Sequence, residues 1–170
     1  MSRRAAVTGA PGVGKSTLVE RAAALIGGRT GGVSAREVRI GGRRIGFQLS
    51  DLLTGEVGTL ASLDGPGPKV GRYRVHLADL EEVGARAIER AVREAELVVI
   101  DEVGPMELLS EEFVEAVEAA LDSDKPILAV VHMRSEHHLA KKIREGFRLF
   151  VVTPESRDRL AGEVAAETRP

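Results

Sequence analysis

Residues Gly9-Ala10-Pro11-Gly12-Val13-Gly14-Lys15-Ser16 satisfy G-x-x-x-x-G-K-[ST], the pattern of a phosphate-binding loop. The pattern constrains the fold because it needs a strand before it and a helix after it. The apolar run Ala5, Ala6 and Val7 precedes the loop, and Leu18, Val19, Ala22, Ala23 and Ile26 follow it at helical spacing. A loop wrapped round a polyphosphate must turn consecutive backbone N–H groups inward. Glycine permits those dihedrals and the close approach that a Cβ would block. Lys15 adds a point charge for the β and γ phosphates, and Ser16 offers a hydroxyl to Mg²⁺. The helix presents its unpaired N–H groups and partial positive charge to the same phosphates.

Beyond the loop, apolar runs alternate with helical patterns, as in an α/β domain with a mostly parallel sheet. Strands buried on both faces are expected at about 4–8, 97–101, 127–132 and 147–152, each nearly continuous in Val, Ile, Leu or Phe. Helical spacing runs through Leu80, Val83, Ala87, Ile88, Ala91, Val92 and Ala95. It recurs through Phe113, Val114, Val117, Ala120 and Leu121 after Ser110, a helix cap followed by Glu111 and Glu112. Thr153, ahead of Pro154 and Glu155, predicts the start of a closing helix.

From Gly27 to Leu77 the rhythm changes. Val38 and Ile40 lead into Gly41-Gly42, and Ile45, Phe47 and Leu49 then alternate with polar residues, which predicts a hairpin with a two-residue turn. Further short strands are expected near Val57 to Ala61 and at Tyr73, Val75 and Leu77. The chain thus reads as one domain over 1–170 with a hairpin insertion at about 28–77.

A length of 170 residues is enough for one core without staples, and zero cysteines exclude disulfides, Cys-ligated zinc and thiol catalysis. The few residues ahead of the first strand leave no room for a signal peptide, and no apolar run reaches membrane-spanning length, so a cytoplasmic protein is expected. A net charge of -2 and 3% aromatic residues argue against a nucleic-acid partner. No asparagine occurs, so the N-K-x-D box by which switch GTPases read guanine cannot be built.

Leu97-Val98-Val99-Ile100-Asp101-Glu102 is an apolar strand ending in two carboxylates, a Walker B pattern. Ligands collect at the carboxyl ends of parallel strands, so Asp101 is expected beside the loop, sharing Mg²⁺ with Ser16. Alternation along the strand aims Glu102 to the opposite side, outside the metal's shell, where it can orient or deprotonate an attacking water. Asp101-Glu102-Val103-Gly104 also fits D-x-x-G, in which the glycine N–H senses a γ-phosphate. Nucleotide binding is therefore assigned to Gly9, Ala10, Pro11, Gly12, Val13, Gly14, Lys15, Ser16 and Thr17 together with Asp101, Glu102, Val103 and Gly104; catalysis is assigned to Lys15 and Glu102.

Four segments together resemble the thermophilic nucleoside-triphosphatase family, the relatives of human cancer-related nucleoside-triphosphatase. They are Thr8 to Leu18; Glu37-Val38-Arg39 with Gly42-Arg43-Arg44-Ile45-Gly46-Phe47; Asp101-Glu102-Val103-Gly104-Pro105-Met106-Glu107-Leu108; and Val151-Val152-Thr153 with Arg157-Asp158. Pro105 stands where relatives usually carry a basic residue, and Ser156 where they usually carry Asn. The resemblance implies a RecA-like P-loop NTPase core, a three-layer sandwich, and Mg²⁺-dependent hydrolysis of ATP, GTP, CTP and UTP to the diphosphate and phosphate. A monomer is favoured.

Four further residues are auxiliary candidates. Among the hairpin arginines, which otherwise read as a solvated face, the resemblance singles out Arg39 as a finger toward the transferred phosphate. His132 ends a core strand where a polar residue can sense the γ-phosphate, Arg134 follows within reach, and Arg157 has the place of a base or ribose contact. His137 and His138 lack a third metal ligand, and Met106, Leu108 and Leu109 read as core. Two other functions fit the same motifs: a small-molecule or nucleotide kinase in which Glu102 takes a proton from an acceptor hydroxyl, and a nucleotide-dependent switch or nucleic-acid-associated module using the basic hairpin.

Overall fold

The computed structural model describes residues 3–170. β1 (Arg4–Gly9) enters the phosphate loop and α1 (Lys15–Ile26) leaves it. The hairpin region holds β2 (Thr30–Ile40), β3 (Arg43–Asp51), β4 (Val57–Ser62), β5 (Lys69–Val70) and β6 (Tyr73–Val75). A continuous helical segment follows: α2 (Leu77–Asp79), a π-helical turn at Leu80–Ala85, and α3 (Arg86–Glu94). The remainder is β7 (Leu97–Val103), a 3₁₀ turn at Glu107–Leu109, α4 (Glu111–Asp122), β8 (Ile127–Val131), α5 (His138–Gly146), β9 (Arg148–Val152) and α6 (Arg157–Thr168).

The nine strands among the described residues form one sheet in the order β5-β6-β4-β3-β2-β7-β8-β1-β9. The strands from β2 to β9 in that order run parallel, and the hairpin strands extend the sheet antiparallel beyond β2. Alternation along each core strand feeds two apolar layers. Ala5, Val7, Val99, Leu128 and Val130 meet Leu18 and Val19 of α1 and Leu160 and Val164 of α6. Ala6, Val98, Ile100 and Ala129 meet Ile88 of α3, Phe113 and Val117 of α4, and Leu139 and Ile143 of α5. The result is the expected three-layer α/β arrangement. A fully buried Leu, Ile or Val side chain stabilises by about 1.5–3 kcal/mol, whereas exposed ion pairs such as Arg148–Glu167 or Arg86–Glu89 contribute about 0–1 kcal/mol each. The apolar faces of the sheet therefore hold the fold together.

Local signals read from sequence recur in the structure. Gly41 and Gly42, at φ 57° and 79°, make the two-residue turn between β2 and β3, a conformation that suits strand twist and favours glycine. Ser110 caps α4 by accepting from the Phe113 N–H at 3.1 Å, a bond worth about 1 kcal/mol.

Other expectations are corrected. The parallel set has a fifth strand, because Thr30–Val33 of β2 pair with Leu97–Ile100 of β7 before the chain turns into the hairpin. Leu77 opens a helix rather than closing a strand, and α6 starts at Arg157, after a turn in which Thr153 and Ser156 bond each other. Leu109 is 44% exposed and is not core. Among the described residues no helix is long and apolar enough to cross a membrane.

Candidate active site

The phosphate loop closes on itself through the Val13 N–H to the Ala10 carbonyl at 3.2 Å, and buried Val13 anchors it to the α1 layer. Gly14, at φ 105°, turns the chain into α1, and no side chain caps the helix there. The first N–H groups of α1 are thus aimed at the loop's mouth, where an anion satisfies them. Lys15 Nζ donates to the Gly9 carbonyl at 2.8 Å and to the Ala10 carbonyl at 3.2 Å, which folds its charge over the loop. Arg157, the first residue of α6, lies across Gly14: a Cβ at Gly14 would come within 3.1 Å of Arg157 Cδ and 3.3 Å of Nη1. Its neighbour Asp158 pairs with Arg21, which ties this end of α6 to α1.

Asp101 emerges from β7 only 6% exposed, with the Ser16 hydroxyl close enough to act on its carboxylate. Burial raises its pKa to about 6; the Ser16 hydrogen bond opposes that rise, the Glu102 charge adds to it, and Lys15 opposes it. Glu102 is also raised by burial, with Lys15 and His132 acting in the other direction. Both carboxylates therefore lie within the field of Lys15, where strand alternation predicts that they diverge. The reason is local. The ladder to β8 shifts register between Asp101 and Val103, so the regular alternation ends there, as at a bulge. The Glu102 carboxyl folds against the backbone of Gly104: a Cβ there would stand 2.8 Å from Oε1 and 3.1 Å from Cδ.

The auxiliary candidates separate. His132 lies just past β8, exposed, with its N–H on the Val103 carbonyl at 3.2 Å and its charge reaching Glu102. Arg134 is exposed and donates its backbone N–H to His132 Nδ1 at 3.2 Å. Arg39 is drawn elsewhere. It pairs with Glu37 at 3.0 Å and with the Gly42 carbonyl at 2.9 Å, at the end of the hairpin, in a cluster with Arg44 and Tyr73. Glu37 is held below the usual carboxylate range by Arg44 first and Arg39 second.

Two residues, Glu20 and Glu107, had no role assigned from sequence. Glu20 stands one turn beyond Ser16 on α1, close enough for its charge to act on Asp101, and it pairs with Arg36 of β2. The spacing of four from Ser16 was a usable signal, since it places both on one helix face. Glu107 is buried at 2% exposure beneath Glu102, and burial together with the Glu102 charge holds it well above the usual carboxyl range. An acid set between Met106 and the leucines 108 and 109 was its signal.

The donors gathered here are a loop of backbone amides, a lysine, an adjacent hydroxyl and carboxylate, and a second carboxylate set back from them. Ser16 and Asp101 present hard oxygens of the kind that could hold Mg²⁺. The family model described as NTPase matches residues 4–165. The chain belongs to that NTPase family. Its relatives include nucleoside-triphosphatase THEP1 of Methanosarcina barkeri, 48% identical over 170 residues that cover 98% of this chain and 97% of that protein. THEP1 of Thermofilum pendens is 50% identical over 95% of this chain and 92% of its own length. The crystal structure of THEP1 from Aquifex aeolicus superposes with a TM-score of 0.87 at 33% identity, covering 98% of this chain and 99% of that one. The solution structure of a human cancer-related nucleoside triphosphatase gives 0.81 at 32% identity, covering 97% and 96%. NTPase membership and the THEP1-like fold agree with the resemblance drawn from the four sequence segments.

Proposed function

We propose that this chain, acting as one NTPase domain, hydrolyses nucleoside triphosphates to the diphosphate and phosphate, with Lys15 and the loop amides from Gly9 to Thr17 binding the β and γ phosphates. The observation that carries the assignment is the position of Glu102: partly buried, folded against Gly104, within the field of Lys15 and beside an Asp101 on which the Ser16 hydroxyl acts. Ser16 and Asp101 would hold Mg²⁺, which when bound neutralises charge on the phosphate oxygens. Burial keeps Glu102 more basic than an exposed glutamate, which suits a group that takes a proton from an attacking water. Val103 and Gly104 close the site on the γ-phosphate side, and His132 with Arg134 borders it.

Base recognition is loose in this account. With no N-K-x-D box, Arg157, which lies across Gly14, would face ribose or base, and a guanidinium plane stacks on any of the four bases. ATP, GTP, CTP and UTP are all substrates on that basis.

The test is Glu102→Gln. It keeps nucleotide affinity, read by titration with a non-hydrolysable analogue, and lowers kcat by about 10²-fold or more, the scale of a lost general base. Unchanged turnover would remove Glu102 from this role.

A further inference from the structure

Val33, Ile100, Ala129 and Ala6 are successive partners across β2, β7, β8 and β1, and so mark one row of the parallel sheet. Asp101 stands one residue beyond that row on β7, and Gly9, where the phosphate loop opens, stands three beyond it on β1. Arg36 stands three beyond it on β2, the strand beside β7. The hairpin thus lifts an arginine past the carboxyl edge to the height of the phosphate loop, one strand across from Asp101.

Alternation and one contact give the side to which it points. Val33 and Ala35 pack into the layer of α3 and α4, so Ser34 and Arg36 face the layer of α1. There the Arg36 guanidinium donates to the Glu20 carboxylate, and Glu20 is one helical turn after Ser16 on the same face of α1. The other hairpin arginines are directed elsewhere. Arg39 and Arg44 bond Glu37, which falls with Ala35 on the opposite face. Arg72 lies over the Tyr73 ring, Arg74 donates to the Gly67 carbonyl at 3.3 Å, and Arg43 opens β3 at the hairpin turn. The Arg36 and Glu20 side chains are 66% and 54% exposed, and an ion pair so open to water holds weakly. A polyphosphate offers the guanidinium fork more charge and a pair of oxygens.

We propose that Arg36 is an arginine finger supplied in cis: when a nucleoside triphosphate fills the phosphate loop, its guanidinium leaves Glu20 and takes oxygens of the γ-phosphate. The proposal rests on the hydrolytic reading above. Water attacks the γ phosphorus and gives its proton to Glu102, while the bond to the β–γ bridging oxygen breaks and its electron pair leaves on the diphosphate. Arg36 moves no proton; it offsets the charge spread over the γ oxygens as that bond breaks. Glu20 holds the guanidinium when no nucleotide is bound.

The experiment measures phosphate release from ATP with Mg²⁺, and titration with ADP and with a non-hydrolysable ATP analogue, for the parent, Arg36→Ala, Arg36→Lys, Glu20→Gln and Arg43→Ala. Arg36→Ala should lower kcat by about 10²-fold or more. It should weaken the ATP analogue by about 10-fold and leave ADP within about 2-fold, since only the γ-phosphate loses a partner. Arg36→Lys keeps the charge without the fork and should recover part of kcat, staying about 10-fold below the parent. Glu20→Gln removes the competing carboxylate and should tighten the ATP analogue relative to ADP by about 2-fold or more. Arg43→Ala, at the turn, should stay within about 2-fold of the parent in every measurement, because a distant exposed charge is screened. A kcat within about 3-fold of the parent in Arg36→Ala, equal weakening of ADP and the ATP analogue, or an equal loss in Arg43→Ala would overturn the finger. Phosphate release from the parent only with an added acceptor would instead overturn the hydrolytic reading, and the split between ADP and the ATP analogue would still decide for or against Arg36.

Discussion

Asp101 and Glu102 are neighbours in sequence, yet their surroundings differ. The Ser16 hydroxyl acts on Asp101, while the Glu102 carboxyl rests on Gly104. Asp101 carries a measurable cost. Its folded-state pKa of about 6 lies above the ordinary 3.8, so the folded chain binds its proton more tightly than the unfolded chain does. Stability from this group is then greatest below about pH 4 and falls as pH rises through about 6. In metal-free and nucleotide-free protein, Asp101→Asn should gain on the parent in thermal midpoint as pH is raised from about 4 to about 7, and a constant difference between the two across that interval would contradict the shift. The identities of Lys15, Ser16, Asp101 and Glu102 were legible because a phosphate loop and a strand ending in acids have fixed spacings. The direction of Glu102 was not, since alternation holds only while the ladder is regular. Arg39 shows a related limit: a resemblance singles out an arginine but not its partners, which here are Glu37 and the Gly42 carbonyl.

At the scale of elements, helices and buried strands followed from periodicity, and the strand that escaped did so for a physical reason. Thr30–Val33 contains Gly31 and Gly32, which supply none of the apolar signal of a core strand. The structure needs glycine there because β2 runs hard against its neighbours. A Cβ on Gly32, at φ 113°, would stand 1.9 Å from the Val99 carbonyl oxygen, and one on Gly31 would meet Ala91 and Leu53 below 3.0 Å. Gly32→Ala should therefore destabilise the fold by about 2–4 kcal/mol, the range of strained backbone plus overpacking, seen as a lower midpoint in urea. An unchanged midpoint would mean that β2 does not join the parallel set in this register. The hairpin beyond it was legible from Gly41-Gly42 alone, because a two-residue turn fixes its own register.

Over the whole molecule, the sheet divides into a parallel half that carries the phosphate loop and Asp101 at its carboxyl edge and an antiparallel half whose arginines are largely paired with Glu37, Glu20 and Tyr73. The candidate site residues lie in the first half. A phosphohydrolase and a kinase built on the same loop, in which Glu102 would serve an acceptor hydroxyl, differ in whether a second substrate is needed. The deciding measurement is phosphate release from ATP, GTP, CTP and UTP with Mg²⁺ and no acceptor present. Release from all four, with rates within about 10-fold of one another as expected when binding energy is spent on the shared triphosphate, is the predicted result. Phosphate release that appears only when a second substrate is added, with the phosphoryl group recovered on it, would contradict the account.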